Sequence, residues 1–200
     1  MFSVIFPGQG SQLVGMGKEF YDKYDLVKDL FKEADDVLKL PLSKIILEGP
    51  KADLDLTANT QPAIFLISYS IFNLVKKEFN IDLNQAKYFA GHSLGEYSAL
   101  ASAGYLNFSD TIKLLKIRGE AMQNAVPKGE GGMLAVLGSS VEVIEKILQE
   151  NKKDFTAQIA NDNSEGQIVL SGKNIDLDKL IDVLKLNNIK NIKLPVSAPF

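Results

Sequence analysis

Residues 89–96, Phe89-Ala90-Gly91-His92-Ser93-Leu94-Gly95-Glu96, constrain the fold more than any other stretch. They set a serine between two glycines at G-x-S-x-G spacing. Lys87 to Ala90 read as the end of a buried strand, and Glu96 to Ser102 open a run of small residues compatible with a helix. Strand, sharp turn and helix are the setting of a nucleophile elbow, in which the turn projects the serine hydroxyl. Glycine on either side removes the Cβ atoms that would collide where the helix packs behind the strand. The same turn aims the Leu94 N–H at the place where a tetrahedral oxyanion forms, and the helix N-terminus adds positive potential there. Ser93 is therefore the candidate nucleophile. A glycine-lined turn with a helix-capping serine is the other reading of these five residues taken alone.

The remaining composition narrows the chemistry. With 200 residues, 46% of them hydrophobic, the chain has enough apolar material for a sizeable core in one domain or two. A net charge of -3 and the lack of any basic run interleaved with aromatics argue against nucleic-acid binding. There is no cysteine and only one histidine, His92, so disulfides, thiolate catalysis and multi-histidine metal sites are not expected. The longest apolar stretch, Ala63 to Val75, is broken by Ser68, Ser70 and Asn73 and is too short for a bilayer. Met1 leads straight into a strand pattern without a basic, cleavable leader. A cytoplasmic, small-molecule enzyme without a membrane partner is the expectation.

Along the chain, Phe2 to Phe6 predict a first strand that stops at Pro7 and feeds the loop Gly8-Gln9-Gly10-Ser11-Gln12. That loop lacks the lysine of a phosphate-binding Walker loop. It can bring the Gln9 amide or its N–H toward another strand's end, or it is a plain turn before a helix. Leu26 to Leu38 and Pro41 to Leu47 predict helices, and Ala63 to Phe79 a largely buried one, with Asn59 or Thr60 as its cap and Pro62 near its first turn. Gln61, at that helix's head, lines a site or caps the helix. A helix from Ser109 or Asp110 toward Ala125 carries Arg118, which is either solvated and ion-paired or a guanidinium fork for a carboxylate. Pro127 to Gly132 break the pattern and mark a boundary. Beyond it come strand Met133–Leu137, helix Val141–Glu150, strand Phe155–Ala160, a turn over Asn161–Gly166, strand Gln167–Ser171, helix Asp176–Leu186 and strand Asn191–Leu194. That is the order of a split βαβ, ferredoxin-like unit.

Taken in order, Gly8-Gln9-Gly10-Ser11-Gln12, Thr60-Gln61-Pro62-Ala63, the elbow with its Glu96, Arg118 and Asn161-x-Asn163 make the chain resemble the malonyl-CoA:acyl carrier protein transacylases, from end to end. The resemblance implies an α/β fold: an α/β-hydrolase-like, patatin-type parallel sheet domain over residues 1–126, an inserted ferredoxin-like βαββαβ subdomain over 127–196, and a return to the large domain at 197–200. It implies that Ser93 takes a malonyl group as an ester, that the N–H groups of Gln9 and Leu94 form the oxyanion hole, and that Arg118 pairs with the malonyl carboxylate. Gln61 and Asn163 are implied as neighbours that shape the pocket. The partners it implies are malonyl-CoA and acyl carrier protein, in a ping-pong exchange serving fatty acid synthesis in a monomer. Coenzyme A enters as a thioester substrate, and no cofactor is expected.

A serine hydroxyl needs a base within hydrogen-bond reach. His92 adjoins Ser93 on a sharp turn, so its ring is expected to leave on the other side of the backbone and serve as packing or pocket wall. In the family the base is a histidine that follows a segment like Ser197-Ala198-Pro199-Phe200. The expectation is a truncation just before it, with these 200 residues nearly inactive by themselves. A serine hydrolase using the same elbow, and a non-catalytic module binding carrier protein or acyl-CoA, are the competing readings.

Overall fold

The computed structural model describes residues 1–127, 129–194 and 196. The chain is α/β and divides into two units, Met1–Ala121 and Met122–Phe200.

In the first unit the apolar N-terminal run forms β1 (Ser3–Phe6). Helices α1 (Lys18–Lys23), α2 (Asp25–Leu38), α3 (Leu42–Glu48), α4 (Lys51–Leu54) and α5 (Thr57–Glu78) follow, then a 3₁₀ turn at Leu83–Gln85 and strand β2 (Tyr88–Gly91). The elbow helix is α6 (Leu94–Ser102), and the arginine helix is α7 (Phe108–Asn124). β1 and β2 pair in parallel, Ser3 opposite Tyr88 and Phe6 opposite Gly91, so both strands end at the same level. One face of the pair packs Val4, Phe6 and Phe89 against Phe72 and Ala99. The other face leaves Ile5 77% and Tyr88 60% exposed.

The main core lies between helices. Val27, Phe31 and Ala34 of α2, spaced by four and three, meet Leu42 and Ile46 of α3, the buried row of α5, and Ile112 and Leu115 of α7. α5 starts at Thr57, six residues before the predicted apolar run. Asn59 and Thr60 are not its caps: both are buried inside the first turn and bond outward to the last carbonyls of α4, Thr60 Oγ1 to Leu54 O at 2.5 Å and Asn59 Nδ2 to Asp53 O at 2.9 Å. Tertiary burial of this polar turn overrides the composition that made it look like a helix entrance.

The second unit contains β3 (Gly131–Leu137), α8 (Val141–Glu150), β4 (Ala157–Ser164), β5 (Gln167–Lys173), α9 (Asn174–Leu186) and β6 (Lys190–Lys193). Its sheet runs β4-β5-β3-β6, antiparallel at every pairing. Leu134 and Val136 of β3 and Ile168 and Leu170 of β5 face Ile144 and Ile147 of α8 and Leu177, Leu180 and Leu184 of α9. The predicted turn at 161–166 is instead the end of β4. Asn161 and Asp162 pair with Val169 and Ile168, and the reversal shrinks to Glu165-Gly166, where Gly166 adopts φ 77°. Pairing registers shift on either side of that polar stretch, which is how strand geometry accommodates residues that composition assigns to a loop.

Candidate active site

The elbow forms because two backbones approach too closely for side chains. A Cβ on Gly91 would lie 2.0 Å from the Gly95 carbonyl, and one on Gly95 would lie 2.6 Å from the Phe6 carbonyl oxygen. Ser93 takes φ 55° and ψ -111°, a region that L-residues rarely adopt, and its strain marks a position fixed by its surroundings. The turn is held by Gly95 N–H donating to His92 O at 2.9 Å and Glu96 N–H to Ser93 O at 3.1 Å. Ser93 is exposed at the start of α6, while Leu94 behind it is fully buried. The Leu94 N–H is among the first donors of the helix, which have no acceptor within it.

Arg118 reaches this turn from α7. Its Nη2 donates to Ser93 Oγ at 3.0 Å and its Nη1 to Gln61 Oε1 at 2.7 Å. Its guanidinium carbon lies 5.7 Å from the centroid of the Tyr97 ring. Gly119 makes that reach possible: a Cβ there would be 2.6 Å from Thr57 O and 2.7 Å from Ala58 Cα, so α7 crosses the head of α5 almost in backbone contact. Among the described residues every ion pair uses a lysine, and Arg118 takes part in none.

The polar head of α5 organises the other elements around the elbow. Thr57, Asn59 and Gln61, all buried, accept from Gln9 Nε2 at 3.2 Å, Lys116 Nζ at 3.2 Å and Arg118 Nη1 respectively. The glycine-rich loop after β1 is thus tied to α5 through the Gln9 side chain, and to the end of α4 where Gln12 Nε2 donates to Asp55 Oδ1 at 3.0 Å. Lys51 bonds the same carboxylate, and the bonds from Lys51 and then Gln12 hold the Asp55 carboxyl below its ordinary value of 3.8. The loop passes close to the elbow: Gly8 faces the His92 ring, where a Cβ would meet Nδ1 at 2.6 Å.

Ser93, Arg118 and Gln61 are therefore joined by direct hydrogen bonds, with Gln9 anchored to the same helix head as Gln61. His92 is exposed beside Gly8. Asn163 belongs to the second unit, exposed on β4 between two paired positions where the register shifts. Among the described residues no group of three or more His, Cys, Asp or Glu could hold a metal, and no helix is long and apolar enough to cross a membrane. Sequence reasoning passed over Thr57, Tyr97 and Gly119. The signal for Tyr97 is its place one helical turn after Ser93, on the same face. Nothing in the sequence marks Gly119, whose role is a close approach between distant segments.

Residues 3–197 match the acyl transferase domain family. The malonyl CoA-acyl carrier protein transacylase of Bacillus subtilis (strain 168) is 43% identical over 198 residues, 98% of this chain and 61% of that protein. The crystal structure of an acyl-carrier-protein-S-malonyltransferase from Bartonella henselae is similar with a TM-score of 0.92 and 43% identity, over 100% of this chain and 64% of that one. A malonyl-transacylase solved in complex with its type II PKS acyl-carrier protein matches with a TM-score of 0.90 and 36% identity, over 99% of this chain and 63% of that one. The chain thus spans somewhat less than two thirds of the relatives' length.

Proposed function

The chain belongs to the acyl transferase domain family, and from that membership we propose that the protein moves a malonyl group from malonyl-CoA to the phosphopantetheine thiol of an acyl carrier protein, through a malonyl ester on Ser93. The observation that carries this reading is the guanidinium of Arg118 beside the hydroxyl of Ser93, with no carboxylate among the described residues ion-paired to it. A cation without a counter-ion next to a nucleophile suits an acyl group that brings its own negative charge.

In the first half-reaction Ser93 Oγ attacks the thioester carbonyl as its proton passes to a base. The N–H groups of Gln9 and Leu94 stabilise the oxyanion, and Arg118 holds the distal carboxylate. The carbon–sulfur bond then breaks, and coenzyme A leaves as a thiol with that proton. In the second half the carrier's thiol attacks the ester and Ser93 regains its hydrogen. Gln61 orients Arg118, while His92 forms part of the pocket wall. His92 is the only imidazole in the sequence and adjoins the nucleophile on a tight turn, so we assign the base to a residue outside these 200, in keeping with the greater length of the relatives.

The same family reading extends to the architecture. We take residues 1–126 as part of a larger, hydrolase-like parallel sheet domain. The open face of the β1–β2 pair supports this, because parallel strands are ordinarily covered on both faces. The unit after the boundary at 127–196 is read as ferredoxin-like on the strength of its βαββαβ order and its β4-β5-β3-β6 sheet. A cytoplasmic monomer acting in fatty acid synthesis, with no resident cofactor, completes the proposal.

The test is transfer. Labelled malonyl-CoA, holo carrier protein and the whole protein are expected to give malonyl carrier protein at an enzymatic rate, and Ser93→Ala is expected to abolish it. Release of free malonate without labelled carrier would mean a hydrolase. Neither product would leave a binding module.

A further inference from the structure

Besides its bond to Ser93, Arg118 has two further contacts, a hydrogen bond to Gln61 and an aromatic ring. Nη1 is fixed by the amide oxygen of Gln61, a side chain with no exposed surface and therefore little freedom to move. Its central carbon also lies over the Tyr97 ring, 5.7 Å from the ring centroid. An in-plane bond alone leaves a guanidinium free to swing about the bonded edge. A ring beneath the charge restricts that freedom by attracting the cation to its face. With both in place, Nη2 is the edge directed at Ser93 Oγ, 3.0 Å away.

Tyr97 is well placed for such a task. It is half-buried, packed against the main core of its unit, and sits four residues after Ser93, one turn along the helix that Ser93 opens. The same helix therefore presents the nucleophile and the surface beneath the cation. Any shift of α6 carries the two together.

The geometry points to Tyr97 as a positioning residue that sets selectivity for carboxylated acyl groups: its ring holds Arg118 so that the open edge of the fork meets a carboxylate on an acyl chain attached to Ser93. The inference rests on the proposed role of Arg118. The hydroxyl of Tyr97 takes no part in it, because the attraction comes from the face of the ring.

The test compares acylation of Ser93 by malonyl-CoA and by acetyl-CoA, which share a thioester and differ in the carboxylate. Rates are read by mass spectrometry on the whole protein and its Arg118→Ala, Tyr97→Leu and Tyr97→Phe variants, with the melting temperature of each. Tyr97→Leu is expected to lower the malonyl-to-acetyl ratio about tenfold, the scale of a partly desolvated cation–ring contact, while Tyr97→Phe keeps the ratio within about twofold of the parent. A melting temperature that falls in Tyr97→Leu with the ratio unchanged would make the ring core packing only and overturn the inference. Loss of the ratio in Tyr97→Phe as well would assign the effect to the hydroxyl and overturn it equally. If Arg118→Ala itself leaves the ratio unchanged, the carboxylate reading of the site fails first, an outcome distinct from failure of Tyr97 alone.

Discussion

The guanidinium of Arg118 donates to the hydroxyl oxygen of Ser93 at 3.0 Å, although the two residues lie 25 positions apart on different helices. The contact puts a positive charge beside the hydroxyl proposed to carry the acyl group. It also separates charge from shape as the basis of recognition: a lysine at 118 would keep the charge and lose the fork. Arg118→Lys is expected to lower malonyl acylation of Ser93 about tenfold and acetyl acylation much less, measured as initial rates against each thioester. Equal losses with both would show that Arg118 serves the nucleophile and not the carboxylate.

Gly119 sets the depth at which α7 crosses α5. A methyl group there has to displace backbone, since its nearest neighbours are Thr57 O at 2.6 Å and Ala58 Cα at 2.7 Å. Gly119→Ala is expected to cost about 2 kcal/mol in denaturant unfolding and to lower malonyl selectivity by moving Arg118 away from Gln61. Unchanged stability would mean that the two helices are not held at this distance in solution.

Ser93 is held at φ 55° by its neighbours, which is strain a glycine would not carry. Ser93→Gly is expected to raise the unfolding free energy by about 1 kcal/mol while removing the acyl-enzyme. A destabilised Ser93→Gly variant would show that the serine side chain contributes more to folding than its backbone costs.

The Asp55 carboxyl is held below 3.8 by the bonds from Lys51 and Gln12. A carboxyl whose pKa falls on folding stabilises the folded state fully above the unfolded value, and that contribution disappears as the pH drops through the lowered folded value. The tie between the glycine-rich loop and the end of α4 therefore weakens only under acid conditions below 3.8. A carbon-detected NMR titration of Asp55 is expected to give a midpoint below 3.8 that rises in both Lys51→Ala and Gln12→Ala. A midpoint at or above the ordinary value would remove the anchor from the account.

What could be read from the sequence followed from local chemistry. The elbow was legible because glycines at fixed spacing have one steric explanation, and the helices were legible because their apolar residues recur with helical period, as Val27, Phe31 and Ala34 do. The head of α5 departs from the sequence reading because Asn59 and Thr60 have the composition of caps, whereas in the fold they bond to the Asp53 and Leu54 carbonyls at the end of α4. The end of β4 was misread for a related reason: Asn161, Asp162 and Ser164 look like a turn, and only their pairing with β5 makes them strand. Arg118 could be named from the sequence as a possible carboxylate fork. Its partners Gln61 and Tyr97 lie on other helices, and no periodicity within α7 points to them.

The proposed Ser93 ester, its acid end held by Arg118, is open to mass spectrometry of the whole protein after exposure to malonyl-CoA, with proteolysis to locate the modification. A malonyl ester is expected on the peptide that contains Ser93, absent in Ser93→Ala and strongly reduced in Arg118→Ala. A malonyl group found on another residue, or a Ser93 ester that forms equally well without Arg118, would contradict it.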